Sequence, residues 1–145
     1  MDHLVILKKE WKLLELILSG EKTIESRWYL QKRDPWDKIN AGDILYLKNT
    51  GERASAAAEV ESVLQFEDLN AEKVKKLLKK YGKGIGIPKE KQEEFFHKFK
   101  EKKRCILVFI KNPKKIKPFK INKEGSGLMN AWICIKDINQ IRKPK

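Results

Sequence analysis

No apolar run in this chain is longer than the six residues Cys105-Ile106-Leu107-Val108-Phe109-Ile110. A membrane-spanning helix needs about 20 apolar residues in succession. The apolar content must therefore be buried as short strands and amphipathic helices packed on one another. Leu4-Val5-Ile6-Leu7 suits a buried strand. Ile44-Leu45-Tyr46-Leu47 lies between the turn residues Asn40-Ala41-Gly42-Asp43 and Asn49-Thr50-Gly51, which predicts a strand in a hairpin. Residues 104–110 and 131–135 read as further strands, joined by a lysine-rich stretch broken at Pro113 and Pro118. Residues 54–63 are ambiguous in themselves. Their alanines favour a helix, their ending Val60-Glu61-Ser62-Val63-Leu64 favours a strand, and their place between strands assigns them to the sheet.

Helical patterns fall between these strands. Trp11, Leu14, Leu16, Ile17 and Leu18 crowd one broad face of a helix that Gly20 ends as a left-handed glycine. The chain then turns into a strand over residues 23–28, with Ile24, Ser26 and Trp28 on one face and Thr23, Glu25 and Arg27 on the other. Leu69, Val74, Leu77, Leu78 and Tyr81 make the apolar stripe of a second helix, backed by lysines and expected to break at residues 82–86. Pro88 suits the first turn of a third helix, whose Phe95, Phe96 and Phe99 are expected to face the core. A chain of 145 residues, 41% of them hydrophobic, supports one core. We therefore expect an α+β fold with a single domain over residues 1–140 and a disordered basic tail at 141–145.

Charge narrows the partners. Thirty-three basic and 20 acidic residues leave a net charge of +13, which spreads a positive field over a small body and favours polyanions. The ion-pair surface of a thermophile raises both signs together and so does not account for the surplus. Cys105 and Cys134 sit in apolar runs and are read as reduced core residues. With two histidines and no Cys-x-x-Cys or His-x-x-x-His pair, no metal or other cofactor is expected. The start Met1-Asp2-His3-Leu4 lacks a basic export leader, so a cytoplasmic protein that does not enter the membrane is expected.

The densest chemistry lies between Gly20 and Arg27. Gly20 permits a sharp turn from helix to strand. Lys22 leaves that turn able to reach a phosphate or to act as a desolvated base, and Arg27 offers a planar fork for phosphates or base edges. Glu25 either orients these cations or moves a proton. Strand parity sets Lys22 opposite Glu25 and Arg27 unless the turn redirects it. The structural alternative is that Glu25 and Arg27 are a salt bridge holding the sheet. Of the nearby rings, Trp28 belongs with Ile24 in the core, whereas Trp36, in the loop Arg33-Asp34-Pro35-Trp36, is the candidate for an exposed stacking platform. Ser126 and Gly127, in Gly125-Ser126-Gly127, are candidates for backbone contact with a ligand.

The segment Gly20-Glu21-Lys22-Thr23-Ile24-Glu25-Ser26-Arg27 fits G-x-K-x-x-E-x-R and resembles the signature of the ASCH domain family, a branch of the PUA-like superfamily. The preceding helix, the Ala41-Gly42-Asp43 turn and the strand ending Glu59-Val60-Glu61-Ser62-Val63 resemble that family's order of elements over nearly the whole chain. The resemblance implies a PUA-like barrel of mixed strands with helices at its rim. It further implies a cleft lined by the signature residues that binds RNA or a nucleotide-like ligand. It also raises a hydrolase alternative with Lys22 and Glu25 as catalytic residues, acting on acylated cytidine nucleosides or as a ribonuclease. Glu25 stands where the amidohydrolase members of the family have a nucleophilic threonine.

Overall fold

The structure is a computed structural model, described over residues 1–122 and 131–144. In chain order the strands are β1 (Asp2–Leu7), β2 (Ile24–Tyr29), β3 (Ile44–Asn49), β4 (Ala54–Phe66), β5 (Arg104–Phe119) and β6 (Trp132–Ile135). The helices are α1 (Leu13–Ser19), α2 (Ala71–Ile85) and α3 (Gln92–Phe99). All six strands join one sheet in the order β2-β5-β4-β3-β1-β6. β1 runs parallel to β3 and every other neighbouring pair is antiparallel. The sheet curls into a half-barrel, an α+β fold in which β2 at one edge faces β1 and the start of β6 across an open seam.

The two faces of the sheet explain why its central runs are apolar without alternation. Val5 and Leu7 of β1 and Ile106, Val108 and Ile110 of β5 point into the barrel, packed with Leu14, Ile17, Trp36 and Trp132. Cys105 and Leu107 point outward, where α2 covers them with Val74, Leu77 and Leu78. Leu4 lies on the outer face with Phe119 and Ile138. Residues 54–66 are strand throughout, with Ala56 and Ala58 in the interior cluster. Burial between β3 and β5 overrides the helical preference of alanine.

Three expectations need correction. The lysine-rich stretch after Ile110 continues β5 as far as Phe119. Its prolines fall in bulges: the pairs Glu59↔Lys111 and Ala57↔Lys114 skip Pro113, and Ala56↔Lys115 and Ala54↔Phe119 skip Pro118. No ladder N–H is needed at those points. α2 does not break at Gly82 but runs to Ile85 and ends at Gly86, whose φ is 92°. Gly84 is required for closeness, since a Cβ there would lie 2.7 Å from Ile24 Cδ1. Residues 141–143 of the tail are held in place: Ile141 is buried with Leu4 and Phe119, Arg142 bridges to Ile121 with its guanidinium 4.4 Å from the Phe119 ring, and the Lys143 N–H donates to Lys120 O at 2.8 Å.

A buried polar chain ties the barrel at one end. His3 is fully buried, its Nε2 lying 2.8 Å from Asp43 Oδ2 and its Nδ1 3.0 Å from Trp132 Nε1. An indole N–H only donates, so Nδ1 accepts and Nε2 carries the proton that Asp43 receives. Asp43 also accepts from the Asn40 backbone N–H at 3.0 Å and pairs with the Met1 amine at 3.4 Å. Burial lowers the His3 pKa from its ordinary value of 6.5 against the opposing pull of Asp43. A depressed folded-state pKa means that the unfolded chain takes up the proton first as pH falls, so stability present above 6.5 is lost below it. We expect the unfolding temperature to drop as pH is lowered from about 7 to about 5.5, by roughly 2–4 °C for each kcal/mol lost. His3→Asn removes that slope. Differential scanning fluorimetry across the window checks both, and an unchanged slope in the variant refutes the assignment to His3.

Candidate functional site

Gly20 ends α1 with φ 84°, its N–H donating to Ile17 O at 3.1 Å. The chain then passes beneath the end of α2, where the Thr23 N–H donates to Gly84 O at 2.8 Å. β2 starts at Ile24, so Lys22 precedes the strand and escapes its parity. The turn sends its side chain back toward Glu25. Lys22 Nζ donates to Ile24 O at 2.7 Å and to Ile85 O at 2.6 Å, and lies 3.2 Å from Glu25 Oε1. Ile85 ends α2, where unpaired carbonyls and the helix dipole both favour a cation. With Lys22 2% exposed and its three N–H donors matched by three acceptors, its ammonium belongs to the fold and is not offered to a phosphate.

Glu25 and Arg27 share the inner face of β2, as their parity predicts. Arg27 Nη2 donates to Glu25 Oε2 at 3.1 Å and to Ile6 O at 3.3 Å, while Nη1 reaches Ala131 O at 3.5 Å. The guanidinium also lies 5.1 Å from the centre of the Trp132 ring. Arg27 thus bridges a seam that, among the described residues, no strand pair closes. Burial acts to raise the Glu25 pKa, but the charges and hydrogen bonds of Lys22 and Arg27 outweigh it and hold the carboxyl below its ordinary value.

Above these groups lies a cavity of about 270 Å³. Ile6, Leu7, Ile87, Phe95 and Phe99 make much of its apolar wall, Trp11, Trp28 and Tyr29 add rings, and Lys8, Lys22, Glu25 and Arg27 supply its charge. The rings form a connected series: Trp28 stacks on Phe99 at 4.7 Å and 7°, Phe99 meets Phe95 at 5.9 Å, and Phe95 meets Trp11 at 6.4 Å. None of the residues of α3 is fully buried. Phe95 and Phe99, expected in the core, instead divide their surface between core and cavity. Their period along the helix is the same in either case, so the sequence carries no signal that separates the two.

The other candidate residues fare differently. Gly20 shapes the turn but does not line the cavity. Trp36 is not an exposed platform: it is 8% exposed and packed inside the barrel, with the Arg104 guanidinium 5.5 Å from its ring. Burying an indole removes 150–250 Å² from water, worth roughly 4–6 kcal/mol, which draws the loop inward. Ser126 and Gly127 lie outside the described residues. Cys105 and Cys134 are free thiols, and burial pushes the Cys134 pKa up to about 12. Among the described residues no cluster of His, Cys, Asp and Glu forms a metal site.

Removing the Lys22 charge tests this geometry. Lys22→Met would leave two carbonyls without a donor and Glu25 with one cation, a loss of roughly 3–5 kcal/mol for a broken buried pair. Urea unfolding should show that loss as a lower midpoint, and a midpoint equal to that of the parent protein contradicts the assignment.

No protein-family model matches the chain, and no curated protein matches its sequence. Solved structures match its shape. ASCH from Zymomonas mobilis superposes with a TM-score of 0.66 at 16% identity, over 96% of this chain and 91% of that one. A single-substitution variant of it gives 0.67 at 17% identity, over 96% and 92%. A second variant gives 0.66 at 16%, over 96% and 94%. Shape and element order together give this chain the ASCH fold, a half-barrel with helices at its rim.

Proposed function

We propose that the cavity over Glu25 and Arg27 binds one nucleobase, carried by RNA or by a nucleotide-like ligand. The observation that carries this reading is the connected series of rings opening onto a charged pair at the barrel seam. Small-molecule pockets usually run from about 300 to 1,000 Å³, so a volume of about 270 Å³ suits a single flat ring system. Stacking of a base on an aromatic side chain is worth about 1–3 kcal/mol and tolerates any base. A hydrogen-bonding edge is then needed for orientation. A carboxylate has about four lone-pair sites and a guanidinium five N–H donors, so Glu25 and Arg27 keep capacity beyond the bonds they exchange. The net charge of +13 adds attraction for a phosphate-bearing ligand.

The geometry supports binding over hydrolysis. A carboxylate held between two cations, with its pKa lowered, is a weak proton acceptor. The Lys22 Nζ is engaged by Ile24 O, Ile85 O and Glu25, so it is held by the fold and not free to approach a substrate.

Titration with nucleosides, nucleotides and short single-stranded RNA, followed by tryptophan fluorescence and calorimetry, tests the reading. Binding should saturate with one base per protein. Phe99→Ala should weaken it by about 1–3 kcal/mol, roughly 5- to 150-fold. Trp36→Phe should leave affinity unchanged. No response to any of the three ligand sets at millimolar concentration would remove the proposal.

A further inference from the structure

Six lysines lie on α2, whose one acidic side chain, Glu72, pairs with Lys76 at 3.5 Å. Lys75, Lys79 and Lys83 follow one another at i,i+4 on the exposed side, and the exposed Lys89 continues the row beyond the helix end. Like charges at this spacing destabilise a helix. Among the described residues no acidic side chain pairs with any of these four. They line a second, more open cavity of about 730 Å³, in which Glu21 is the one carboxylate. Gly86 and Ile87 line both this cavity and the base-sized one. The row of lysines therefore leads to the mouth of the base site.

We infer that the ligand is a single strand of RNA whose phosphates follow Lys75, Lys79, Lys83 and Lys89 while one base enters beside Gly86 and Ile87. This rests on the reading of the smaller cavity as a base site, and it adds which ligand that site serves. Lysines four residues apart stand about 6 Å apart along a helix axis, a step that the phosphates of an extended strand can follow. Each ammonium is a flexible point charge, suited to a backbone whose sequence it does not read. A free nucleoside would touch none of them.

The test uses fluorescence anisotropy with a labelled single-stranded RNA of about ten nucleotides, beside calorimetric titration with mononucleosides. The variants are Lys75→Glu/Lys79→Glu/Lys83→Glu, the matching Lys→Gln set, and a control, Lys114→Glu/Lys115→Glu/Lys117→Glu, on the exposed end of β5. The control makes the same change in net charge where the strand pairs with β4. Each single-strand phosphate contact contributes about 0.7 to the salt slope. The α2 reversal should thus lower the slope by about 2 and weaken RNA binding on the order of a hundredfold at about 0.1 M salt. The Gln set should act in the same direction with a smaller effect. Nucleoside affinity should stay within about twofold in every variant, and RNA affinity in the control within a few-fold, since distant charges are screened. An equal loss in the control, an unchanged salt slope in the α2 variants, or RNA that binds no tighter than a nucleoside overturns the inference while leaving the base site standing. Failure of nucleosides and RNA alike removes the base site and the inference together.

Discussion

The buried series Lys22–Glu25–Arg27 ties β2 and α2 to β1 and the approach to β6, two sides between which no backbone ladder runs among the described residues. Its acceptors and donors belong to β2 through Ile24, to α2 through Ile85, to β1 through Ile6 and to the approach to β6 through Ala131. Taking charged groups out of water costs several kcal/mol for each ion, so such a set persists where every polar atom is matched. Here two cations flank one carboxylate, and backbone carbonyls accept further N–H groups of Lys22 and Arg27. Its value to the fold is positional: it fastens the two edges of a sheet that curls without closing, and it caps the helix that covers the sheet's outer face.

The candidate site is a consequence of that incomplete closure. A closed barrel would pair β2 with β1 and fill the seam with backbone hydrogen bonds. Arg27 spans the seam instead, and the space above it is roofed by α3 and the segment after α2. Phe95 and Phe99 reach into this space from a short helix with no fully buried residue. Apolar walls, a polar seam and a nearby row of lysines thus arise from three separate elements. The half-barrel is what brings them together.

Much of the architecture was legible from local pattern. Gly20 marked a left-handed end to α1, the apolar runs marked the strands, and the period change at Leu69 marked α2. The G-x-K-x-x-E-x-R segment pointed to the fold that the solved structures of Zymomonas mobilis ASCH share. The misses have a common cause, since each turned on what lay opposite a residue in space. Pro113 and Pro118 read as the end of a strand because the bulges that accommodate them depend on register with β4. Gly82 and Gly84 read as a helix break because the close approach of Gln92 to the first and of Ile24 to the second is invisible in sequence. Trp36 sits in a polar loop, yet its ring gains more by entering the barrel than by facing water. Trp28 was expected with Ile24 in the core and packs there, and Phe95 and Phe99 fall on the expected apolar helical face, but part of that face borders a cavity.

What the sequence by itself determined is the set of elements, the shared face of Glu25 and Arg27, and the basic character of the whole chain. These follow from periodicity, turn chemistry and composition, all of which act over a few residues or none. The tertiary structure alone decided that Lys22 joins Glu25, that Arg27 closes the seam, and that aromatic side chains of α3 line a cavity above them. Each of these depends on contacts between residues far apart in the chain, such as Lys22 with Ile85 and Arg27 with Ala131. A side chain's role there is set by which groups the fold leaves it to satisfy.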